Sequence, residues 1–65
     1  MSDFAPDVKK SLREGGFREI RRGKGSHAIW GHPEGGSVKL SVPDKIFSRH
    51  TANDILKSAG LQKKL

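Results

Sequence analysis

The chain has 65 residues, and its 13 Lys and Arg against 7 Asp and Glu give a formal net charge of +6. A chain this short forms a single domain with little room for a deep pocket, so we expect a shallow site and no cofactor. The positive charge attracts polyanions such as nucleic acid or an acidic protein. The absence of cysteine, of a recognisable signal peptide and of an apolar run approaching ~20 residues predicts a cytoplasmic protein that does not bind membrane.

The first predicted element is a helix that ends at a pair of glycines. Phe4, Val8 and Leu12 are spaced four residues apart and therefore share one helical face. Pro6 suits the first turn, where its missing N–H is not needed. Gly15-Gly16 ends the helix, because glycine readily takes the left-handed conformation that a helix end often requires.

Three strands are predicted next, over residues 17–22, 26–30 and 37–42. The third strand shows the clearest alternation, with Val38, Leu40 and Val42 on one side and polar residues between them. The connections are a flexible basic turn at 23–25 and a turn at 32–36 that contains Pro33 and two glycines.

The last element is predicted to be a second helix, with its apolar stripe formed by Ala52, Ile55, Leu56 and Ala59. Thr51 to Asp54 matches a capping box, and Ser48 is a competing N-cap. Gly60 suits the position after the helix, and the tail 62–65 is expected to fray.

The predicted order is α-β-β-β-α, in an α+β fold that occupies residues 1–65 as one domain. Three antiparallel strands with short connections form a meander, and two helices can share one of its faces. This is the architecture of the double-stranded RNA-binding domain. The expected core residues are Val8, Leu12, Val38, Leu40, Ile55 and Leu56.

The candidate catalytic residues are the three histidines, because the chain has no cysteine nucleophile and its carboxylates are scattered. That scatter predicts no metal site, since two-metal nucleases need converging carboxylates. Histidine can accept and return a proton at neutral pH, which suits attack by a ribose 2′-hydroxyl on its own phosphate. This chemistry cleaves RNA but not DNA, which lacks that hydroxyl.

His27 stands out because it follows Gly23-Lys24-Gly25-Ser26, where glycines let a phosphate approach and lysine supplies charge. The alternative is a half-buried strand histidine whose ring binds a neighbouring carbonyl. His32 is interpreted as an exposed turn residue, and His50 as a surface residue near a helix N-terminus.

Trp30 and the basic residues each allow two interpretations. Trp30 can stack on an RNA base or anchor the core, and the core is favoured in so small a domain. The basic residues either follow phosphates or form an ordinary solvated face. Their concentration near the glycine turn favours nucleic acid; they are Arg18, Arg21, Arg22, Lys24 and Lys39.

Two motifs resemble those of HicA toxins. Gly16-Phe17, followed by Gly23-Lys24-Gly25-Ser26-His27-Ala28-Ile29-Trp30-Gly31-His32-Pro33, is similar to their G-F … K-G-S-H-x-x-[aromatic]-x-[His/Asn]-P core. The stretch from Thr51 to Leu61 is similar to their T-x-x-x-I-L-K-x-A-G-L signature. The resemblance covers nearly the whole chain, and the two motifs occur in the expected order.

The resemblance implies an mRNA endoribonuclease with a double-stranded-RNA-binding-like fold and a single catalytic histidine, which maps to His27. It also implies a HicB antitoxin that covers the site and, with the toxin, represses the shared operon, so operator DNA is contacted through the antitoxin. The expected RNA-binding residues are Arg21, Arg22, Lys24, Gly25, Ser26 and Lys39. Many relatives carry a histidine after the Val-Pro that ends the third strand, whereas this chain has Asp44-Lys45. The alternatives are a non-catalytic RNA-binding module and an adaptor that docks an acidic protein.

Overall fold

The computed structural model describes residues 3–61 and 65, which form two helices and three strands. In chain order these are α1 (Ala5–Glu14), β1 (Arg18–Arg22), β2 (His27–Gly31), β3 (Lys39–Pro43) and α2 (Arg49–Ser58). The predicted α-β-β-β-α order is therefore confirmed. Neither helix in this part of the chain is long and apolar enough to cross a bilayer.

The strands form an antiparallel sheet in the order β1-β2-β3, so β2 is the central strand. Ala28 and Trp30 of β2 are buried, and so are their register partners Val42 and Leu40 on β3. Side chains alternate between the two faces of a strand, so these four residues mark the face that carries the core. Both helices contribute buried residues to this same cluster.

The opposite face of the sheet is called the open face below. It carries His27 and Ile29 of β2, with Pro43 and Ser41 directly opposite them on β3. His27 and Ser41 are exposed and Ile29 is half-buried, in contrast to the fully buried residues on the other side. The open face is therefore the side of the sheet on which a ligand can lie.

The core is larger than the sequence predicted, and it differs from the prediction at one position. Val8, Leu12, Leu40 and Leu56 are buried as expected, and Ile55 packs partly buried against them. Val38 was expected in the core, but 44% of it is exposed. β3 begins only at Lys39, so Val38 lies outside the strand. The other buried apolar residues are Ala5, Phe17, Ala28, Trp30, Val42, Ile46 and Ala52.

Helix α1 begins and ends as its sequence predicts. Pro6 lies in the first turn, and Val8 and Leu12 are buried on one face. At the other end Gly16 has φ +92°, a conformation that glycine adopts without steric cost. The backbone N–H of Phe17 donates to the carbonyl of Leu12 at 2.9 Å, which directs the chain back toward the core.

Helix α2 begins earlier than the capping box predicts. Its N-cap is Ser48, whose Oγ accepts a hydrogen bond from the backbone N–H of Thr51 at 3.3 Å. Thr51 is consequently inside the helix, so the capping box starting there is wrong and the competing prediction is confirmed. Gly60 has φ +77°, and the Leu61 N–H donates to the Leu56 carbonyl at 3.0 Å, as expected for a glycine-terminated helix.

The chain termini are held by polar contacts. Asp3 Oδ1 accepts hydrogen bonds from the backbone N–H groups of Ile46 at 2.9 Å and Ala5 at 3.0 Å, and both lower the pKa of this carboxyl. The predicted fraying concerns residues 62–65, of which 62–64 lie outside the described residues. The Leu65 N–H donates to Asn53 Oδ1 at 2.7 Å.

Candidate functional site

His27 is the first residue of β2 and lies at the edge of the open face. It is exposed, and Pro43 is its register partner on β3. On the β1 side, the Gly23 N–H donates to the His27 carbonyl at 2.8 Å, so Gly23 is its neighbour there. The backbone of His27 is thus held on both sides while its imidazole remains accessible.

The loop before His27 is the connection between β1 and β2, residues 23–26. It is closed by the His27 N–H, which points to the Lys24 carbonyl at 3.4 Å. Gly25 has φ +65°, a left-handed conformation that disfavours other residues. The Ser26 carbonyl accepts a hydrogen bond from the Asp44 N–H at 2.8 Å, which attaches the loop to the end of β3. Lys24, Gly25 and Ser26 therefore form a short loop that leads directly into His27 and is attached to the end of β3.

Gly23 packs closely against the His27 main chain and the Ile29 side chain. A Cβ at this position would lie 3.2 Å from both the His27 carbonyl oxygen and Ile29 Cδ1. Contacts this short require the neighbouring atoms to move, so a larger residue would displace either β2 or Ile29. Glycine at position 23 therefore allows β1 and its loop to pack closely against His27 and Ile29.

The two adjacent arginines of β1 lie on different faces of the sheet. Arg21 pairs with Ile29 and so shares the open face with His27, whereas Arg22 pairs with the buried Ala28. Arg22 Nη1 and Nη2 donate to the two carboxylate oxygens of Asp44 at 3.1 and 2.9 Å. These hydrogen bonds and the opposite charge lower the pKa of Asp44 and raise that of Arg22. Arg22, predicted to bind RNA, is thus engaged in a bidentate ion pair.

Lys39 lies at the other end of the open face from His27. Lys39 pairs with Gly31, whereas His27 pairs with Pro43, so the two side chains are four residues apart along the sheet. This corresponds to about 13 Å at the usual rise of a strand. Of the predicted binding residues, the structure groups Arg21, Lys24, Gly25 and Ser26 with His27 and leaves Lys39 distant.

Asp44 is a residue of this region that sequence reasoning did not identify. It lies 22 positions from its partner Arg22, and nothing local in the sequence relates the two. Lys9 of α1 and His27 are both close enough to contribute, after Arg22, to the lowered pKa of Asp44. Asp44 therefore connects the loop to the last residue of β1 at one end of the molecule.

The other two histidines, His32 and His50, each lie next to another side chain away from the β1–β2 loop. The ring of His32 lies 4.1 Å from that of Phe17, centroid to centroid, and is half-buried, so its interpretation as an exposed turn residue is wrong. Phe17 and the turn after α1 create a surface on which the ring packs. His50 is a surface residue as predicted, and its Nε2 lies 3.5 Å from Asp54 Oδ2.

Trp30 belongs to the core, as favoured by the sequence. Only 2% of the residue is exposed, and the Arg13 guanidinium lies 5.4 Å from the ring centroid, within cation–π distance. Its indole N–H is buried without a hydrogen-bond partner in the described part of the chain. A side chain this deeply buried cannot stack on an RNA base.

Two grooves on the described part of the protein do not include His27. A groove of about 290 Å³ runs between β3 and α2, and another of about 450 Å³ lies beside His32 and the end of α1. His27 lines neither of them. Residues 3–61 and 65 contain no group of three or more His, Cys, Asp or Glu that could hold a metal ion. His27 is thus exposed on the open face and lies outside both of these grooves.

Comparison with known proteins identifies the family. The profile of the HicA_toxin family, described as the HicA toxin of bacterial toxin-antitoxin, matches residues 5–61, from the first residue of α1 to the residue after Gly60. No curated protein and no solved structure matches the chain. The matched segment contains the β1–β2 loop, His27 and both helices. The chain therefore belongs to the HicA toxin family, the toxins of bacterial toxin–antitoxin systems whose partner is a cognate antitoxin.

Proposed function

We propose that this toxin is an endoribonuclease that cleaves mRNA without a metal ion and uses His27 as its catalytic residue. The observation that supports it is the position of His27, which is exposed on the open face beside the side-chain-free Gly23 and the basic loop 23–26. The backbone hydrogen bonds of His27 fix the point from which the imidazole extends, which favours a defined position for a catalytic group. The scattered carboxylates of the sequence are consistent with proton-transfer chemistry alone.

In the proposed reaction the 2′-oxygen of a ribose attacks its own 3′-phosphate. The 2′-O–P bond forms and the P–O5′ bond breaks, leaving a 2′,3′-cyclic phosphate and a 5′-hydroxyl. His27 accepts the proton of the 2′-hydroxyl, and the leaving 5′-oxygen takes up one proton. The Arg21 and Lys24 side chains supply positive charge near the phosphorane, whose negative charge grows in the transition state.

The experiment is cleavage of a labelled RNA by wild type and His27→Ala in excess EDTA. We expect wild type to remain active and His27→Ala to lose about 10²–10⁴-fold in rate, the usual effect of one acid–base group. His50→Ala is the matched control, since His50 is exposed on α2 and distant in sequence from the loop. Products are analysed for the cyclic phosphate.

Three outcomes would overturn the proposal. Loss of wild-type cleavage in EDTA and its return with magnesium would indicate metal-ion catalysis. Equal cleavage by wild type and His27→Ala would place the catalytic group elsewhere. RNA binding without any cleavage would identify the protein as a non-catalytic RNA-binding module.

We propose that the cognate antitoxin is a HicB-type protein with an acidic surface that covers His27. The antitoxin, and not the toxin, would contact operator DNA. The net charge of +6 supports this, because complementary charge accelerates association and makes it sensitive to salt. Adding the antitoxin to the same cleavage assay tests occlusion. Cleavage that continued in the saturated complex would contradict it.

A further inference from the structure

The open face has a second row of side chains next to His27. Ile29 lies two residues along β2 from His27, about 7 Å at the usual rise, and on the same face. Arg21 is opposite Ile29 on β1 and Ser41 is opposite it on β3. Residues directly opposite in an antiparallel pair point to the same side, so these three side chains form one row across the sheet.

The apolar residue at the centre of this row, Ile29, is followed along the sheet by a second isoleucine, Ile20. A β-bulge between Glu19 and Arg21 leaves Ile20 without a register partner, and such bulges redirect side chains. Ile20 Cδ1 lies 2.6 Å from the point where a Cβ on Gly31 would be, so the isoleucine rests on the glycine backbone. Ile20 remains 45% exposed on the open face. Ile29 and Ile20 thus form an aliphatic strip that begins next to His27.

The ends of the row are polar and free to bind. Arg21 and Ser41 are both exposed, and within the described part of the chain neither side chain has a hydrogen bond or ion pair. Arginine can pair with a phosphate, and a serine hydroxyl can both donate to and accept from a base edge. A cation, an apolar floor and a hydroxyl therefore lie side by side, one row away from the candidate catalytic histidine.

We infer that this row is the subsite for the nucleobase adjacent to the cleaved phosphate, with Ile29 under the base, Ser41 at its edge and Arg21 on the backbone. The inference rests on the proposed function. Unstacked bases in single-stranded RNA are bound by packing on side-chain surfaces and by hydrogen bonds to their edges. RNA fits better than a protein partner because the strip is continuous with the site at His27 and is only two side chains wide. Ile29 and Ser41 would thereby set which base is preferred at the cleavage site.

The test uses oligonucleotides that contain one ribonucleotide in a DNA strand, with each base placed in turn on either side of the cleavable bond. For wild type, Ile29→Ala and Ser41→Ala, kcat and KM are measured for every oligonucleotide in the set. We expect Ile29→Ala to raise KM about tenfold, as loss of a base-packing contact does. We expect Ser41→Ala to change the ratio of kcat/KM between bases, because the hydroxyl at the base edge is lost. Ser37→Ala, an exposed serine outside β3, is the matched control.

The outcomes separate this subsite from the proposed function. If wild type cleaves neither the oligonucleotides nor a longer RNA, the proposed function fails. If wild type cleaves but both variants keep its base ratios and KM, the subsite is wrong and the function stands. If the variants cleave like wild type but are no longer inhibited by the antitoxin, the strip binds protein, which also overturns the subsite. Because Ser41 is exposed, its variant gives an answer even if Ile29→Ala folds poorly.

Discussion

At the scale of single residues, Asp44 does more than its exposed position suggests. Its backbone N–H holds the loop at Ser26, and its carboxylate holds Arg22, the last residue of β1. One residue therefore joins the ends of all three strands near His27. A surface ion pair adds little to stability by itself, so its value lies in fixing this end of the sheet.

The Arg22–Asp44 pair should make stability depend on acid pH. Because the folded pKa of Asp44 is lowered, the pair stabilises the fold above the unfolded pKa near 3.8, and this contribution is lost as pH falls through the folded value. We expect the melting temperature to fall less between pH 5 and pH 2.5 for Asp44→Asn than for wild type. Glu34→Gln, which removes an exposed turn carboxylate, should behave like wild type. An unchanged pH dependence in Asp44→Asn would show that the pair is not formed in solution.

The site could be predicted from the sequence only where it is local. The glycines, Lys24 and His27 are consecutive, so their proximity follows from the chain itself. Alternation along a strand places the adjacent Arg21 and Arg22 on opposite faces, but the bulge at Ile20 and the pairing of Arg22 with a carboxylate far along the chain are not local features. The sequence pattern of β1 shows neither feature.

At the scale of elements, α2 shows how tertiary packing chooses between two caps. Both Ser48 and Thr51 are residue types that favour an N-cap. Starting at Ser48 lets Ala52 donate its N–H to the Ser48 carbonyl at 3.0 Å while burying its side chain. The sequence contained both alternatives, and the helix that begins after Ser48 buries Ala52, while residues 49–51 stay exposed.

Ser48→Ala should lower the free energy of unfolding by about 1 kcal/mol, because the Thr51 N–H would lose its acceptor. Thr51→Ala is the paired variant and should be neutral or slightly stabilising, since alanine has the higher helix propensity. Urea denaturation of both variants measures the difference. A larger loss of unfolding free energy in Thr51→Ala than in Ser48→Ala would show that Thr51 is the N-cap.

At the scale of the whole molecule, the fold is two layers with one core between them. Its smallest dimension is 15 Å, which leaves space for one sheet and one layer of helices. The order of elements was predictable because glycine and proline separate every segment. The extent of the core was less so, because Val38 continues the alternation of β3 in sequence but lies outside the strand.

Leu56→Ala should cost about 2–4 kcal/mol in the free energy of unfolding, as truncation of a fully buried leucine usually does. Val38→Ala should cost less than about 0.5 kcal/mol, because this valine is largely solvated. Chemical denaturation of the two variants checks the contrast. Similar losses would mean that Val38 packs in the core after all.

The one-sided core has an evolutionary consequence. Along the central strand β2, Ala28 and Trp30 pack in the core, whereas His27 and Ile29 lie on the open face, where we propose that RNA binds. Substitutions at the second set change contacts with solvent and ligand while the packed layer stays intact. On the proposed function, toxins of this kind can alter their target preference, and the antitoxin its matching surface, by single substitutions that leave the fold intact.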